Sequence, residues 1–140
     1  MTATLLVVAG LLPVVPRVVP LFAAGPEVVI SEFMASNSNA LFLPDGSAPD
    51  WVELWNRGDA AADLGGWRLH DSGASVFVFP SGITLAPNAR LLVYADDGNT
   101  AMPGLHAPFK LSAGGEYLGL KDAGEAVVNV SIVNWTKEPI

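Results

Sequence analysis

The 140-residue chain has no cysteine, few charged residues and no run of basic residues. Without cysteine, neither a disulfide framework nor a thiolate metal site can form. The 7 basic residues are outnumbered by 14 acidic ones, which gives a net charge of −7. Binding to nucleic acid or to an anionic membrane surface needs a basic patch, and no two Lys or Arg residues are adjacent. We therefore expect no nucleic-acid partner, and membrane contact only through an uncleaved apolar leader.

Catalytic motifs are also missing. The chain has no Gly-x-Ser-x-Gly elbow, no His-Glu-x-x-His zinc motif and no phosphate-binding glycine loop before a helix. His70 precedes Asp71, but no serine motif supplies a nucleophile for this pair, so we expect His70 to be a solvent-exposed turn residue. The sequence predicts no enzymatic activity and no cofactor.

Residues 1–25 form an apolar leader with one charged residue, Arg17. The apolar run Ala3–Leu12 and the small residues around Ala24 resemble a secretory signal peptide. The alternatives are an uncleaved membrane anchor or a mis-assigned start before an internal domain. We expect a protein that is secreted or held at the cell surface.

Residues 26–140 form one predicted domain in which apolar and polar residues alternate with a period of two. Short runs of β-branched and aromatic residues are separated by turns rich in Gly, Pro, Asp and Asn. This pattern predicts an all-β fold, an antiparallel sandwich of about seven or eight short strands. The predicted strands are Val28–Met34, Trp51–Asn56, Trp67–Asp71, Val76–Phe79, Arg90–Ala95, Tyr117–Lys121 and Val127–Val133, with a short additional segment at Ile83–Leu85.

Several motifs follow one another in a specific order. They are Ile30-Ser31-Glu32-Phe33-Met34-Ala35-Ser36-Asn37, Asp50-Trp51-Val52-Glu53-Leu54-Trp55-Asn56, Leu64-Gly65-Gly66-Trp67-Arg68-Leu69, and Phe109-Lys110-Leu111 followed by Gly115-Glu116. Together they resemble the lamin tail domain family, in the form found in bacterial exported proteins. The resemblance covers roughly residues 28–133. It implies an immunoglobulin-like β-sandwich with no catalytic activity of its own.

The resemblance also implies structural roles for the motif residues. Glu32, Asn37 and Glu53 are expected to tie the long first loop (Ser36–Pro49) to the sandwich. The full set of expected structural residues is Glu32, Asn37, Asp50, Trp51, Glu53, Asn56, Trp67 and Glu116.

The end of the chain departs from the family pattern. Related domains continue past the last hydrophobic strand into a polar segment. In this chain only residues 134–140 follow Val133, and they do not match that segment. The sequence therefore predicts a truncated or diverged last segment, with an unpaired strand edge that favours self-association.

The candidate binding residues are apolar side chains outside the expected core. The first loop contains Leu41, Phe42 and Leu43, and exposed apolar loop residues often mark contact surfaces. The alternative is that this loop folds over the end of the sandwich and buries them. Trp51, Trp55 and Trp67 are either packing residues of the sandwich or an aromatic platform for a sugar ring, and Trp55 is the candidate binding residue among them. The expected partner is a protein or a cell-surface carbohydrate, recognised through loops and sheet edges.

The acidic turn at Asp96, Asp97 and Asn99 is a weak candidate for calcium. A hairpin turn explains the same residues without a metal. The predicted function is a non-catalytic binding or structural module. The alternatives are an accessory domain detached from a secreted hydrolase or nuclease, and a calcium-stabilised adhesion module.

Overall fold

The computed structural model describes residues 25–133, with side chains as far as Asn129. The predictions for the leader and for residues 134–140 lie outside the described residues. The described residues form no helix, and they therefore contain no helix long and apolar enough to cross a membrane. The strands are β1 (Val28–Met34), β2 (Asp50–Asn56), β3 (Ala62–Asp63), β4 (Arg68–His70), β5 (Val76–Val78), β6 (Thr84–Leu85), β7 (Arg90–Ala95), β8 (His106–Ala107), β9 (Glu116–Lys121) and β10 (Val127–Val133).

The strands form two four-stranded sheets and one small sheet. The first large sheet has the order β1-β2-β7-β8, and the second has the order β10-β9-β4-β5. The short strands β3 and β6 pair with each other. β1 and β10 are therefore edge strands, and they contact each other where the two large sheets meet.

Alternation along β2 determines which side chains enter the core. Successive strand residues point to opposite faces of a sheet. Val52 and Leu54 are fully buried at 0% exposure. The residues that alternate with them, Trp51, Glu53 and Trp55, therefore lie on the outer face. The pattern alone allowed either orientation of this strand.

The core fills the space between the two large sheets. Val52 and Val93 from the first sheet belong to the same apolar cluster as Leu69, Leu118 and Leu120 from the second, and none of the five is more than 1% exposed. Each such side chain contributes about 1.5–3 kcal/mol by leaving water. Apolar burial on the inner faces therefore holds the sandwich together.

The predicted immunoglobulin-like all-β sandwich is confirmed. β1, β7 and β10 begin and end at the predicted residues. The strands β3 and β8 were not predicted, because two-residue strands show no alternation. β8 also pairs in parallel with β7, since the loop after β7 returns the chain alongside that strand. This pair is an exception to the predicted antiparallel arrangement.

Candidate functional site

An open cleft of about 410 Å³ lies where the edges of the two large sheets meet. The Ile30 N–H in β1 donates a hydrogen bond to Asn129 Oδ1 in β10 at 3.0 Å, which joins the two edges. We call this feature the Trp55 cleft. It is lined by Val29, Ile30, Ser31, Trp55, Arg57, Arg90 and Asn129.

Each edge strand carries a β-bulge beside the Trp55 cleft. The register of β1 shifts between Ile30 and Glu32, and that of β10 shifts between Val127 and Asn129. A bulge adds one residue to a strand and changes the direction of the neighbouring side chains. Ser31 and Asn129, which line the cleft, lie at these two bulges.

The aromatic part of the cleft is held in place from two sides. Trp55 pairs in register with Arg90 on β7, and Arg90 Cζ lies 4.6 Å from the centroid of the Trp55 ring. This distance is typical of a cation–π contact. Trp55 Nε1 also donates to Asn88 Oδ1 at 3.2 Å. The indole and the guanidinium are therefore positioned before any ligand arrives.

Glu53 positions Arg90 from the neighbouring strand. Its Oε1 accepts hydrogen bonds from Ser31 Oγ at 2.6 Å and from Arg90 Nη1 at 2.5 Å. Burial alone would raise the pKa of Glu53, but the two hydrogen bonds and the positive charge of Arg90 outweigh burial and lower the pKa below its usual range. Glu53 is therefore ionised at neutral pH, and its carboxylate accepts the hydrogen bond from Arg90.

Arg57 forms the other positive wall of the cleft. Its Nη2 donates to Glu27 Oε1, and the two side chains are 45% and 58% exposed. Exposed ion pairs of this kind contribute at most about 1 kcal/mol to stability. The pair therefore contributes little to stability, and its main effect is to position the Arg57 guanidinium at the cleft.

Asn37 and Asp50 fasten the first loop. Asn37 Nδ2 donates to Leu41 O at 2.8 Å and to Pro49 O at 2.9 Å, which closes the loop on itself. Asp50 Oδ1 accepts from the Asn37 N–H at 2.8 Å, and Asp50 Oδ2 accepts from the Leu111 N–H at 3.3 Å. These bonds attach the loop to the sandwich.

Asn56 is a fully buried polar residue at 0% exposure, with a complete set of partners. Its Oδ1 accepts from the Glu27 and Gly58 N–H groups at 3.1 and 3.0 Å. Its Nδ2 donates to Ala60 O at 2.8 Å and Leu85 O at 3.0 Å. Asn56 thereby joins the end of β2 to the segment before β1, to the turn that follows β2 and to β6.

Glu32 and Glu53 do not have the expected loop-tying role. Glu32 is exposed and lies opposite Glu53 in the register of β1 and β2, and its side chain makes no hydrogen bond to the described residues. The side chain of Glu53 bonds to Ser31 and Arg90 instead. Strand positions on the outer face explain this, because both side chains point away from the loop.

The remaining motif residues lie at three different places. Trp51 is half-buried on the outer face, and its Nε1 has no partner among the described residues. Trp67 packs against the core. Glu116 Oε1 accepts from the Ser112 N–H at 2.6 Å. Burial raises the pKa of Glu116, and the negative charges of Asp71 and Asp50 add to the rise.

The ordered motifs and the sandwich agree with a comparison against protein families. The model of the Lamin Tail Domain family matches residues 22–137. The chain belongs to the lamin tail domain family. A search of curated proteins finds no match to the chain. The family is one of non-catalytic immunoglobulin-like domains, and membership suggests a binding or structural module.

In this lamin tail domain the three apolar residues of the first loop are not equivalent. Phe42 is 57% exposed, Leu41 is half-buried, and Leu43 is only 7% exposed. The Leu43 N–H donates to Ser47 O at 2.8 Å, which turns the loop so that Leu43 faces inward. Leu43 therefore cannot contact a partner, and Phe42 is the residue that the loop presents to solvent.

The acidic turn of the lamin tail domain divides its oxygen atoms among several partners. Asp96 Oδ1 accepts from the Asn99 N–H at 3.2 Å, and Asp96 Oδ2 lies 2.8 Å from His106 Nδ1. Asp97 forms an ion pair with Lys110 at 3.2 Å. Among residues 25–133, no three His, Asp or Glu side chains are arranged to hold a metal ion. Asp96 thus bonds within the turn and to His106, while Asp97 pairs with Lys110.

His70 is not the solvent-exposed turn residue that the sequence suggested. It lies in β4, half-buried, with its ring centroid 5.4 Å from that of Tyr117. His70 Nε2 is buried and has no partner among the described residues. Gly119 lies opposite His70 in the register and leaves room for its ring.

Sequence reasoning named Trp55 but missed Arg57, Arg90 and Asn129. The register of β2 against β7 would have identified Arg90, because it places this residue beside Trp55. Asn129 had no such signal, since it lies 99 residues from its partner Ile30.

Proposed function

We propose that this lamin tail domain is a non-catalytic binding module of an exported or cell-surface protein, and that it binds carbohydrate in the Trp55 cleft. The observation that carries the proposal is the indole of Trp55 held beneath Arg90, next to Arg57 and Asn129, in an open cleft. An aromatic ring beside planar polar side chains offers both an apolar surface and directional hydrogen bonds.

The dimensions of the cleft favour a small polar ligand. Its volume of about 410 Å³ falls within the range of about 300–1,000 Å³ that is usual for small-molecule sites. Its lining combines three apolar side chains with polar ones, which suits one or two sugar rings better than the broad contact area of a folded protein.

The apolar leader supports the location of the module. Residues 1–25 resemble a signal peptide or an anchor, and either would carry the domain out of the cytoplasm. Mass spectrometry of the protein recovered from its native host tests this directly. A new N-terminus near Ala24 indicates cleavage, whereas recovery of the full leader in the soluble cytoplasmic fraction contradicts export.

The binding proposal is tested by Trp55→Ala on a glycan array, with Trp51→Ala as the matched control. Trp51 lies on the same outer face of β2 but does not line the cleft. We expect Trp55→Ala to reduce saccharide binding by about tenfold or more, because a ring contact of about 1–1.5 kcal/mol is lost together with the packing of Arg90. Equal binding by both folded variants would contradict the proposal.

A second candidate function is protein recognition through Phe42. The supporting observation is its 57% exposure on a loop that Asn37 holds closed. A photo-crosslinking amino acid at position 42 should capture one cell-surface protein, while the same group at the similarly exposed Val78 should not. Identical products from both positions would argue against specific recognition by the loop.

A further inference from the structure

The polar groups of the Trp55 cleft are unbalanced between donors and acceptors. An arginine has five N–H donors and no acceptor. Arg57 uses one of its donors on Glu27, and Arg90 uses one on Glu53, so most donors of both guanidiniums are unpaired within residues 25–133. The Nδ2 group of Asn129 also has no partner in this range, since only its Oδ1 is bonded.

The acceptors near the cleft are largely occupied. Asn129 Oδ1 already accepts from the Ile30 N–H, and Glu53 Oε1 accepts from both Ser31 and Arg90. Neither Glu53 nor Glu27 lines the cleft itself. A ligand that enters therefore meets N–H groups and positive charge, and it must supply the acceptor oxygens.

The charge of the cleft contrasts with that of the chain. The chain has a net charge of −7, whereas the two charged side chains that line the cleft are both arginines. Arginine binds carboxylate and sulfate groups through two parallel hydrogen bonds. Arg90 is suited to this because its guanidinium is already oriented by the Trp55 ring and by Glu53.

We infer that the saccharide bound in the Trp55 cleft is acidic, with a carboxylate or a sulfate ester held by Arg57 and Arg90. The inference rests on the proposed carbohydrate function and adds the chemical class of the ligand. The anionic group accepts the unpaired guanidinium and amide donors, while the sugar ring lies against the apolar surface of Trp55 and Val29.

The test is a calorimetric titration of the full chain. A detergent keeps the apolar leader in solution, and it has no sugar headgroup because such a headgroup would compete for the cleft. The probes are tetragalacturonate, which carries carboxylates only, a heparin-derived tetrasaccharide, which adds sulfate groups to carboxylates, neutral cellotetraose, and inorganic sulfate. The variants are Arg57→Gln and Arg90→Gln, with Arg68→Gln as the matched control. Arg68 forms a comparable exposed ion pair with Glu125 on the second sheet and does not line the cleft.

We expect at least one acidic tetrasaccharide to bind about tenfold or more tightly than cellotetraose. Each cleft variant should weaken that binding by about tenfold, since a charge-assisted hydrogen bond is lost. Arg68→Gln should leave it unchanged. Raising the salt concentration should weaken binding of the acidic probe only.

Three outcomes would overturn the inference, and they differ in what they say about the proposed function. If cellotetraose binds as tightly as the acidic probes and neither Arg57→Gln nor Arg90→Gln weakens it, the ligand is a neutral saccharide and the proposed function stands. If inorganic sulfate binds as tightly as the tetrasaccharides, the cleft is a simple anion site. If no saccharide binds, the inference and the carbohydrate function both fail.

Discussion

Replacing Asn56 by alanine should remove a large part of the stability of this domain. The side chain is buried at 0% exposure and makes four hydrogen bonds to backbone groups. Alanine cannot replace any of them. The N–H groups of Glu27 and Gly58 and the carbonyls of Ala60 and Leu85 then lose their partner.

The expected magnitude follows from the burial of each bond. The bond to Leu85 is buried, and leaving its carbonyl unpaired costs about 2 kcal/mol. The other three bonds are partly buried, so water replaces them in part and each loss costs about 0.5 kcal/mol. The free energy of unfolding should therefore fall by about 3–4 kcal/mol. The melting temperature should fall by roughly 15 °C for a domain of this size.

Urea denaturation followed by tryptophan fluorescence measures this loss. Asn39→Ala is the matched control, because Asn39 is exposed and makes no hydrogen bond among the described residues. Asn56→Asp keeps the acceptor but places a carboxylate oxygen against two carbonyls, so we expect a larger loss at pH 7 that shrinks at low pH as the introduced carboxyl is protonated. A loss below about 1 kcal/mol for Asn56→Ala would refute the reasoning.

Two further predictions concern the second sheet. Gly119→Ala should cost about 1–3 kcal/mol, because the added Cβ would lie 2.6 Å from His70 Nε2 and 2.7 Å from Tyr117 Oη; thermal unfolding checks this against Gly114→Ala, where the nearest atom is 3.7 Å away. Glu116→Gln should flatten the pH dependence of stability. Burial raises the pKa of Glu116 above 4.5, so the folded state binds more protons there and the wild type loses stability as the pH rises through that pKa.

Each of these predictions has a clear contrary result. Equal melting temperatures for Gly119→Ala and Gly114→Ala would show that His70 and Tyr117 move aside without cost. For Glu116, solvent exposure limits the effect to less than about 1 kcal/mol. A variant whose stability falls more steeply with rising pH than that of the wild type would contradict the direction of the shift.

Much of the fold could be predicted because strand signals are local. The period of two along β1, β2 and β7, together with the turns between them, depends on residues close in sequence. The motif also led us to expect a structural role for Asn56. The four partners of Asn56 did not, because they are backbone groups and leave no side-chain pattern.

The Trp55 cleft could be predicted only in part because it depends on long-range pairing. Four segments of the chain contribute to it, and its two edge strands are joined by a bond between Ile30 and Asn129, 99 residues apart. The two β-bulges at Ser31 and Asn129 cannot be recognised from the alternation of apolar and polar residues in the sequence. The prediction for the first loop was wrong at Leu43 for a different reason. Nothing in the sequence distinguishes its three adjacent apolar residues from one another, and it is the turn closed by the Leu43 N–H that leaves Leu43 buried.

The claim that the Trp55 cleft is the binding site is tested most directly by an NMR titration of the full chain with an acidic tetrasaccharide. We expect the largest chemical-shift changes at Ser31, Trp55 Nε1, Arg57, Arg90 and Asn129, and we expect them to saturate together with one affinity. Changes centred on the first loop, or none anywhere in the chain, would contradict the claim.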